Sequence, residues 1–161
     1  MNAVTPKTAK RAARPGSANE RAIDEQAARL RLAITRTARR LRQTAGSPLG
    51  PSALAALASI ERHGPLTPSG LAEAEAVQRP TATRMISRLE EERMVERASD
   101  PEDGRCSLIS VSPAGSELLR KLRRRKTAYL ARNLRGLEAG ELATLERAAA
   151  ILERMLEQER R

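Results

Sequence analysis

Aromatic residues are nearly missing from this 161-residue chain, which has one tyrosine, Tyr129, and neither tryptophan nor phenylalanine. A core must therefore be aliphatic, which suits packed helices. The single cysteine, Cys106, excludes an internal disulfide, and with one histidine, His63, it leaves no set of metal ligands. The chain also lacks a nucleophile-base set and a phosphate-binding glycine loop, so we expect no enzyme, no metal site and no cofactor.

Long apolar runs are also absent: none approaches the roughly 18 residues needed to span a bilayer. The first residues lack the apolar stretch of a secretory signal. We therefore expect a soluble cytoplasmic protein without a membrane partner. Its length and its 40% hydrophobic content fit one compact domain with flanking helices.

Charge is abundant and unevenly distributed. The chain has 30 Lys and Arg against 20 Asp and Glu, for a net charge of +10, which favours a polyanionic partner. Residues 1–60 hold 11 basic and 3 acidic side chains, residues 61–112 hold 7 and 10, and residues 113–161 hold 12 and 7. Composition alone would thus predict a DNA-binding surface outside the acidic range 61–112. Residues 1–19 have no acidic side chain and are predicted to form a disordered basic arm.

Apolar spacing predicts long helices at both ends of the chain. A helix over residues 20–45 carries one apolar stripe, formed by Ile23, Ala27, Leu30, Ile34, Ala38 and Leu41. A linker rich in Gly and Pro ends it by residue 50. At the other end, Ser112-Pro113 caps a helix over 113–134. A helix over 138–158 follows and has a coiled-coil-like seam of Leu142, Leu145, Ala149, Leu152 and Leu156. This seam fits either a partner helix or a core within one subunit.

The middle of the chain has the pattern of a helix-turn-helix followed by a hairpin. A short helix over residues 52–62 precedes Thr67-Pro68, a capped start for a helix over Pro68–Ala76. Pro80 opens a second helix, Pro80–Arg93, whose inward side chains are Ala82, Met85, Ile86 and Leu89. Residues 95–98 and 106–111, joined by a turn with Asp, Pro and Gly, predict a β-hairpin, the wing.

The stretch RPTATRMISRLEEERMVERASDPEDGRCSLISVSPAGSELL, together with the helices around it, resembles the MarR (multiple-antibiotic-resistance regulator) family of bacterial transcription factors. The resemblance covers the chain from about Glu20 onwards, and its specific part runs from Arg79 to Leu119. It implies a mostly α, α+β fold: a winged helix-turn-helix with long N- and C-terminal dimerisation helices. The divisions we expect are the arm (1–19), a dimerisation helix with linker (20–50), the DNA-binding lobe (51–112) and C-terminal dimerisation helices (113–161).

The resemblance also implies a function. We expect a homodimeric, sequence-specific regulator of transcription, a repressor in most relatives, on a pseudo-palindromic operator in double-stranded DNA. Many relatives release DNA on binding a small aromatic or anionic effector, but no residue of this sequence identifies such a ligand. The alternative is a non-specific, nucleoid-type nucleic-acid-binding protein in which the basic arm and arginine runs dominate.

The second helix of the helix-turn-helix is the predicted recognition helix, because only the major groove distinguishes all four base pairs. Arg84 and Arg79 can bond guanine O6 and N7, threonine can contact a thymine methyl, and Arg88 suits a phosphate. The predicted contact residues are Arg79, Pro80, Thr81, Thr83, Arg84, Ser87 and Arg88.

The wing supplies a second set of predicted DNA contacts. Arg105 suits the neighbouring minor groove, whose negative potential attracts arginine. Asp100 and Asp103 would hold the guanidinium in place beforehand and so reduce the entropy lost on binding. Asp103 and Arg105 match the wing pair of the family, with Asp100 as support.

Two features leave alternatives open. The family usually has glycine after the recognition helix where this chain has Arg93-Met94, so either the helix ends differently or a left-handed residue is tolerated at a cost of about 1 kcal/mol. Two basic runs can be solvated, contact phosphate or line an anion-binding crevice. They comprise Arg29, Arg31, Arg36, Arg39, Arg40 and Arg42, then Arg120, Lys121, Arg123, Arg124, Arg125 and Lys126.

Overall fold

A computed structural model describes residues 18–99 and 107–158. The elements, in chain order, are α1 (Ala18–Ala45), α2 (Pro51–His63), α3 (Pro68–Ala74), α4 (Arg79–Glu91), β1 (Val95–Ser99), β2 (Ser107–Val111), α5 (Pro113–Leu134) and α6 (Ala139–Gln158). This confirms the predicted mostly α fold, in which a small antiparallel hairpin follows a helix-turn-helix. Within these residues no helix is both long and apolar enough to cross a membrane.

The chain divides into two compact units, residues 1–40 and residues 41–161. The second unit has an aliphatic core formed by α2, α3, α4, α5 and both strands. Each large side chain buried there contributes about 1.5–3 kcal/mol relative to an exposed one. The fully buried large side chains are Leu57, Ile60, Leu71, Ile86, Leu89, Ile109 and Leu122.

Helix α3 begins as predicted and ends early. The hydroxyl of Thr67 accepts a hydrogen bond from the Gly70 amide at 3.0 Å, which confirms the cap. The helix ends at Ala74 because Ala76 has φ 51°, in the left-handed region. A Schellman turn follows, in which the Ala76 amide donates to the Glu73 carbonyl and the Val77 amide donates to the Ala72 carbonyl. The turn of the helix-turn-helix therefore holds a strained alanine.

Helix α4 is displaced slightly from its predicted start. Gln78 is the N-cap and Arg79 the first helical residue, so Pro80 takes the second position rather than the first. Both positions suit proline because neither N–H has an acceptor within the helix. The helix then runs to Glu91.

The end of α4 resolves the question raised by the missing glycine. Arg93 has φ 57°, so the left-handed cap forms without glycine. The Arg93 amide donates to the Glu90 carbonyl at 2.9 Å and the Met94 amide to the Leu89 carbonyl at 2.8 Å, which is a complete Schellman motif. The strain at Arg93, about 1 kcal/mol, is offset by these bonds and by burial of Leu89.

The hairpin is anchored to the core. β1 and β2 pair from Val95 opposite Val111 to Ser99 opposite Ser107. The buried Ile109 also exchanges two backbone hydrogen bonds with Leu66, at 2.8 and 3.0 Å, which attaches β2 to the segment before α3. The predicted wing is confirmed in its two strands.

Two helices carry apolar side chains that the single chain leaves uncovered. In the first unit, Ile23, Leu30 and Ile34 of α1 are about half exposed. In the second unit, α6 buries no residue, and Leu145 and Leu156 are 48% and 58% exposed. The predicted stripes therefore form on helices but do not contribute to the core of one subunit.

Candidate nucleic-acid interface

Helix α4 has one buried face and one face open to solvent. Ala82, Ile86 and Leu89 are fully buried and fix the helix on the core. The structure brings the predicted contact residues together on the opposite side: Arg79, Pro80, Thr83, Arg84, Ser87 and Arg88 are exposed, and Thr81 is half-buried. A single surface therefore offers guanidinium, hydroxyl and methyl groups to a partner.

Two internal hydrogen bonds lie in the first turns of this surface. The Thr83 hydroxyl donates to the Arg79 carbonyl at 3.0 Å. Arg84 Nη2 donates to the Thr81 hydroxyl at 3.5 Å, the limit for such a bond. Arg84 thus keeps most of its N–H donors available for an acceptor outside the chain.

Arg88 has carboxylate partners on its own helix end. Its guanidinium lies 3.1 Å from Glu91 and 2.8 Å from Glu92. All of these side chains are more than a third exposed, so the pairs stabilise the helix little. A phosphate that binds Arg88 must nevertheless compete with two carboxylates. These pairs were not predicted, although the spacings of three and four residues are a signal for them.

A further ion pair connects α4 to the wing. Arg97 of β1 donates to the Glu90 carboxylate at 2.8 Å, and this hydrogen bond raises the pKa of Arg97. The pair links the first strand of the hairpin to the C-terminal end of α4, and at this exposure it adds little stability. No helical or strand periodicity in the sequence indicates it.

The predicted wing contacts Asp100, Asp103 and Arg105 lie outside the described residues. The described strands end at Ser99 and begin again at Ser107. The pairing of these aspartates with Arg105 stays a prediction.

Most arginines of the basic run in α5 are engaged within the protein. Arg120 and Arg124 both contact the carboxylate of Glu117, the latter at 3.0 Å. The hydrogen bond from Arg124, with the charges of both arginines, holds the pKa of Glu117 below its ordinary value. These groups are exposed and favour a solvated ionic surface over a dedicated phosphate site.

Two other arginines of the run connect α5 to neighbouring segments. Arg123 forms a two-bond fork with Glu61 of α2, at 2.5 and 2.9 Å. This hydrogen bonding lowers the pKa of Glu61 despite an opposing effect of burial. Arg125 donates to the buried Ala45 carbonyl at 2.8 Å and so caps the last turn of α1. Arg123 and Arg125 therefore connect α5 to neighbouring segments of the fold.

The start of α5 forms a hydrogen-bonded junction with the end of α4. The Ser112 hydroxyl accepts from the Gly115 amide at 3.0 Å and donates to the Arg93 carbonyl at 2.8 Å. The Ser112 amide donates to the Met94 carbonyl at 3.0 Å. The cap at Ser112 was predicted and is confirmed, but the bond to Arg93 was not predicted. The glycine at position 115, inside a helix, is the available signal of this close backbone approach.

A basic crevice of about 430 Å³ lies along the last turns of α5. The guanidinium of Arg132 lies 5.9 Å from the ring centre of Tyr129, a cation–π distance. The crevice is lined by Thr44, Arg125, Ala128, Tyr129, Ala131, Arg132 and Arg135. Its lining combines positive charge with one aromatic ring, a suitable surface for a small anion.

Comparison with known proteins identifies related chains. The model of the MarR family matches residues 49–107, which include all of α4. A helix-turn-helix-type transcriptional regulator from Mycobacterium bovis is 40% identical over 124 residues, which cover 76% of this chain and 87% of the relative.

Solved structures agree with the sequence comparison. A transcriptional regulator from Pseudomonas aeruginosa has 30% identity and a TM-score of 0.78, over 88% of this chain and 98% of that one. A variant of MarR from Escherichia coli has 25% identity and a TM-score of 0.65, over 79% and 93%. The similarity thus includes the helix-turn-helix, the hairpin and the helices around them.

Proposed function

Because the chain belongs to the MarR family of DNA-binding transcriptional regulators, we propose that it is a sequence-specific repressor that binds a pseudo-palindromic operator as a homodimer. The observation that carries this proposal is the two-faced α4. Ala82, Ile86 and Leu89 on its apolar face are fully buried, and its polar face presents Arg79, Thr81 and Arg84 together. Such a helix is held on the core while its base-reading side chains stay accessible.

The chemistry of this face suits the major groove. Arginine can donate two parallel hydrogen bonds to guanine O6 and N7, each such pair contributing about 1–3 kcal/mol of discrimination. Threonine can contact a thymine methyl or a phosphate. Arg84 and Arg79 are the proposed guanine readers, and Arg105 of the wing is the proposed minor-groove contact with Asp100 and Asp103 as its supports.

Uncovered apolar side chains support the proposed dimer. Helix α1 exposes Ile23, Leu30 and Ile34, and α6 exposes Leu145 and Leu156, each by more than 40%. Large side chains spaced along one helix face favour burial against a partner. A second copy provides that burial and also the second α4 needed for half-sites about one helical turn apart.

The basic crevice supports an anionic effector. Guanidinium groups bind carboxylates through forked hydrogen bonds, and an aromatic ring on the ligand could stack with Tyr129. We therefore propose a small aromatic acid as the class of molecule that releases DNA. A screen of such acids should find compounds that both raise the melting temperature and displace labelled operator, and Arg132→Ala should weaken both effects.

A non-specific nucleic-acid-binding protein is the competing function. It is favoured by α1, where Arg29, Arg31 and Arg36 are exposed and no acidic residue lies between Glu25 and Glu61. The α5 run does not favour it, because its arginines form ion pairs or hydrogen bonds within the protein, either on α5 itself or with other segments.

Selection of bound sequences from random DNA distinguishes the two functions. A specific regulator should enrich one pseudo-palindrome and bind it about 10³-fold or more tightly than random DNA at physiological salt. A protein that enriches no sequence, or that loses binding equally to random and selected competitors, is the non-specific binder. A reporter gene placed behind the enriched sequence then tests repression.

Arg84→Ala tests the role of α4, with Arg147→Ala as a matched control. Arg147 donates to the hydroxyl of Thr144 three residues earlier at 3.4 Å, much as Arg84 does to Thr81, but it lies on α6. We expect Arg84→Ala to weaken binding to the selected DNA by about 10–100-fold, whereas Arg147→Ala should leave it unchanged. Equal losses would mean that only positive charge matters.

A further inference from the structure

We propose that Ser112 is a positioning residue for DNA binding, because its hydroxyl fixes the C-terminal end of the recognition helix α4 to the first turn of α5. The inference rests on the proposed function of α4. Ser112 itself lies at the base of the wing and is not among the predicted DNA contacts. Its effect on DNA is therefore indirect, through the orientation of α4.

The hydroxyl of Ser112 is used twice, once as an acceptor and once as a donor. It accepts from the Gly115 amide, which caps α5, and donates to the Arg93 carbonyl at 2.8 Å. Arg93 is the left-handed residue just beyond the C-cap of α4, so its carbonyl accepts no hydrogen bond from an amide of that helix. One oxygen atom thus joins the end of one helix to the start of another.

Ser112 is buried, and its hydrogen bonds give the junction a fixed direction. Ser112 is 5% exposed, so water cannot readily replace its hydrogen bonds, and the loss of one leaves an unsatisfied polar group. Apolar burial holds α4 on the core but does not set its rotation sharply, because hydrophobic attraction has no direction. The hydrogen bond to Arg93 supplies a fixed direction at the end of the helix.

Close packing around the junction restricts movement further. A Cβ atom on Gly115 would overlap the Met94 carbonyl oxygen and would lie 2.9 Å from Val111 Cγ1. The backbone of α5 therefore lies directly against the residues that follow α4. A rotation of α4 about its buried face would have to break the junction at Ser112 or displace the start of α5.

Three variants of Ser112 separate its two hydrogen bonds. Ser112→Ala loses both. Ser112→Asp keeps an acceptor for the Gly115 amide, but an ionised carboxylate cannot donate to the Arg93 carbonyl. Ser112→Thr keeps both. Thr67→Ala is the matched control, because it removes the same kind of cap, a hydroxyl 3.0 Å from the Gly70 amide, without breaking a hydrogen bond to the end of α4.

The measurement is the ratio of dissociation constants for random DNA and for the selected sequence, at fixed salt and at a temperature where circular dichroism shows each variant folded. We expect Ser112→Ala and Ser112→Asp to lower this ratio about tenfold, the equivalent of one base contact. Ser112→Thr should keep the ratio within about twofold of the wild-type value. Thr67→Ala should lower the melting temperature and leave the ratio of dissociation constants unchanged. If Ser112→Ala does not fold, the capped Ser112→Asp variant decides.

Two results would overturn the inference. One is an unchanged ratio in both Ser112→Ala and Ser112→Asp. The other is an equal decrease in Thr67→Ala, which would mean that lost stability alone causes the effect. A wild-type protein that prefers no sequence would instead overturn the proposed function.

Discussion

Replacement of Gly115 by alanine tests the close contact between α5 and the end of α4. Gly115 is buried in the first turn of α5. An added Cβ would overlap the Met94 carbonyl oxygen, with Val111 Cγ1 at 2.9 Å and Leu57 Cδ1 at 3.2 Å. A leucine tip can rotate aside, whereas the carbonyl belongs to the backbone and cannot.

The expected effect is a large loss of stability. Alanine gains up to about 1 kcal/mol over glycine inside a helix. Against this, forced overpacking costs about 1–3 kcal/mol. A shift of α5 also lengthens the hydrogen bonds of Ser112 to Gly115 and Arg93, each worth about 1 kcal/mol. We therefore expect Gly115→Ala to lower the free energy of unfolding by about 2–4 kcal/mol, and the melting temperature by about 5–15 °C.

Urea unfolding at one fixed protein concentration measures this effect, because association makes the midpoint depend on concentration. Gly140→Ala is the matched control: Gly140 also lies in the first turn of its helix, α6, and an added Cβ there would have no atom of the described chain within 4 Å. This control should be more stable than the wild type by about 0.5–1 kcal/mol. A Gly115→Ala protein as stable as the wild type would refute the close contact.

Three further substitutions follow from individual contacts. Arg93→Gly should raise the urea midpoint by the equivalent of up to about 1 kcal/mol, since φ 57° suits glycine; a lower midpoint would contradict the strain. Glu91→Gln combined with Glu92→Gln should free Arg88 and tighten binding to any DNA by about 3–10-fold in anisotropy titrations, with a steeper salt dependence; unchanged affinity would exclude a phosphate contact there. Glu61→Gln should cost about 0.5 kcal/mol at pH 7, because the pKa of Glu61 is lowered by its arginine partner on α5. This contribution is complete above the ordinary pKa of 4.5 and is lost as the pH falls through the lower folded value. Urea unfolding should therefore show the stabilities of the wild type and the variant converging as the pH is lowered below 4.5, and a constant difference would be inconsistent with the ion pair.

Local signals in the sequence predicted most element bounds. Proline and hydroxyl caps mark the starts of α3 and α5, and apolar periodicity sets the buried face of α4, so these predictions depend on neighbouring residues alone. The end of α3 was misplaced by two residues because Ala76 has a left-handed backbone that its side chain does not favour. The Schellman turn, which local propensity does not encode, outweighs that preference there.

Contacts between residues far apart in the sequence could not be predicted from the sequence. Ser112 and Arg93 are 19 residues apart, and Arg123 and Glu61 are 62 apart. No periodic pattern relates such positions, since their proximity arises only when α2, α4 and α5 pack. The basic run in α5 shows the consequence, because its composition favours a DNA surface while its contacts are with the protein itself.

Arginines at the two ends of α4 differ in whether they are paired with carboxylates, and this difference bears on sequence specificity. The C-terminal half of the helix pairs Arg88 with glutamates, whereas Arg79, at the other end, has no carboxylate partner in the described part of the chain. Counterion release depends on the phosphates contacted and not on the net charge of the protein. The proposed interface therefore gains little from the charge of +10. In the proposed interface, discrimination between sequences comes mainly from the few donors at the start of α4, because the hydrogen-bonding groups on base edges differ between base pairs whereas the phosphates do not.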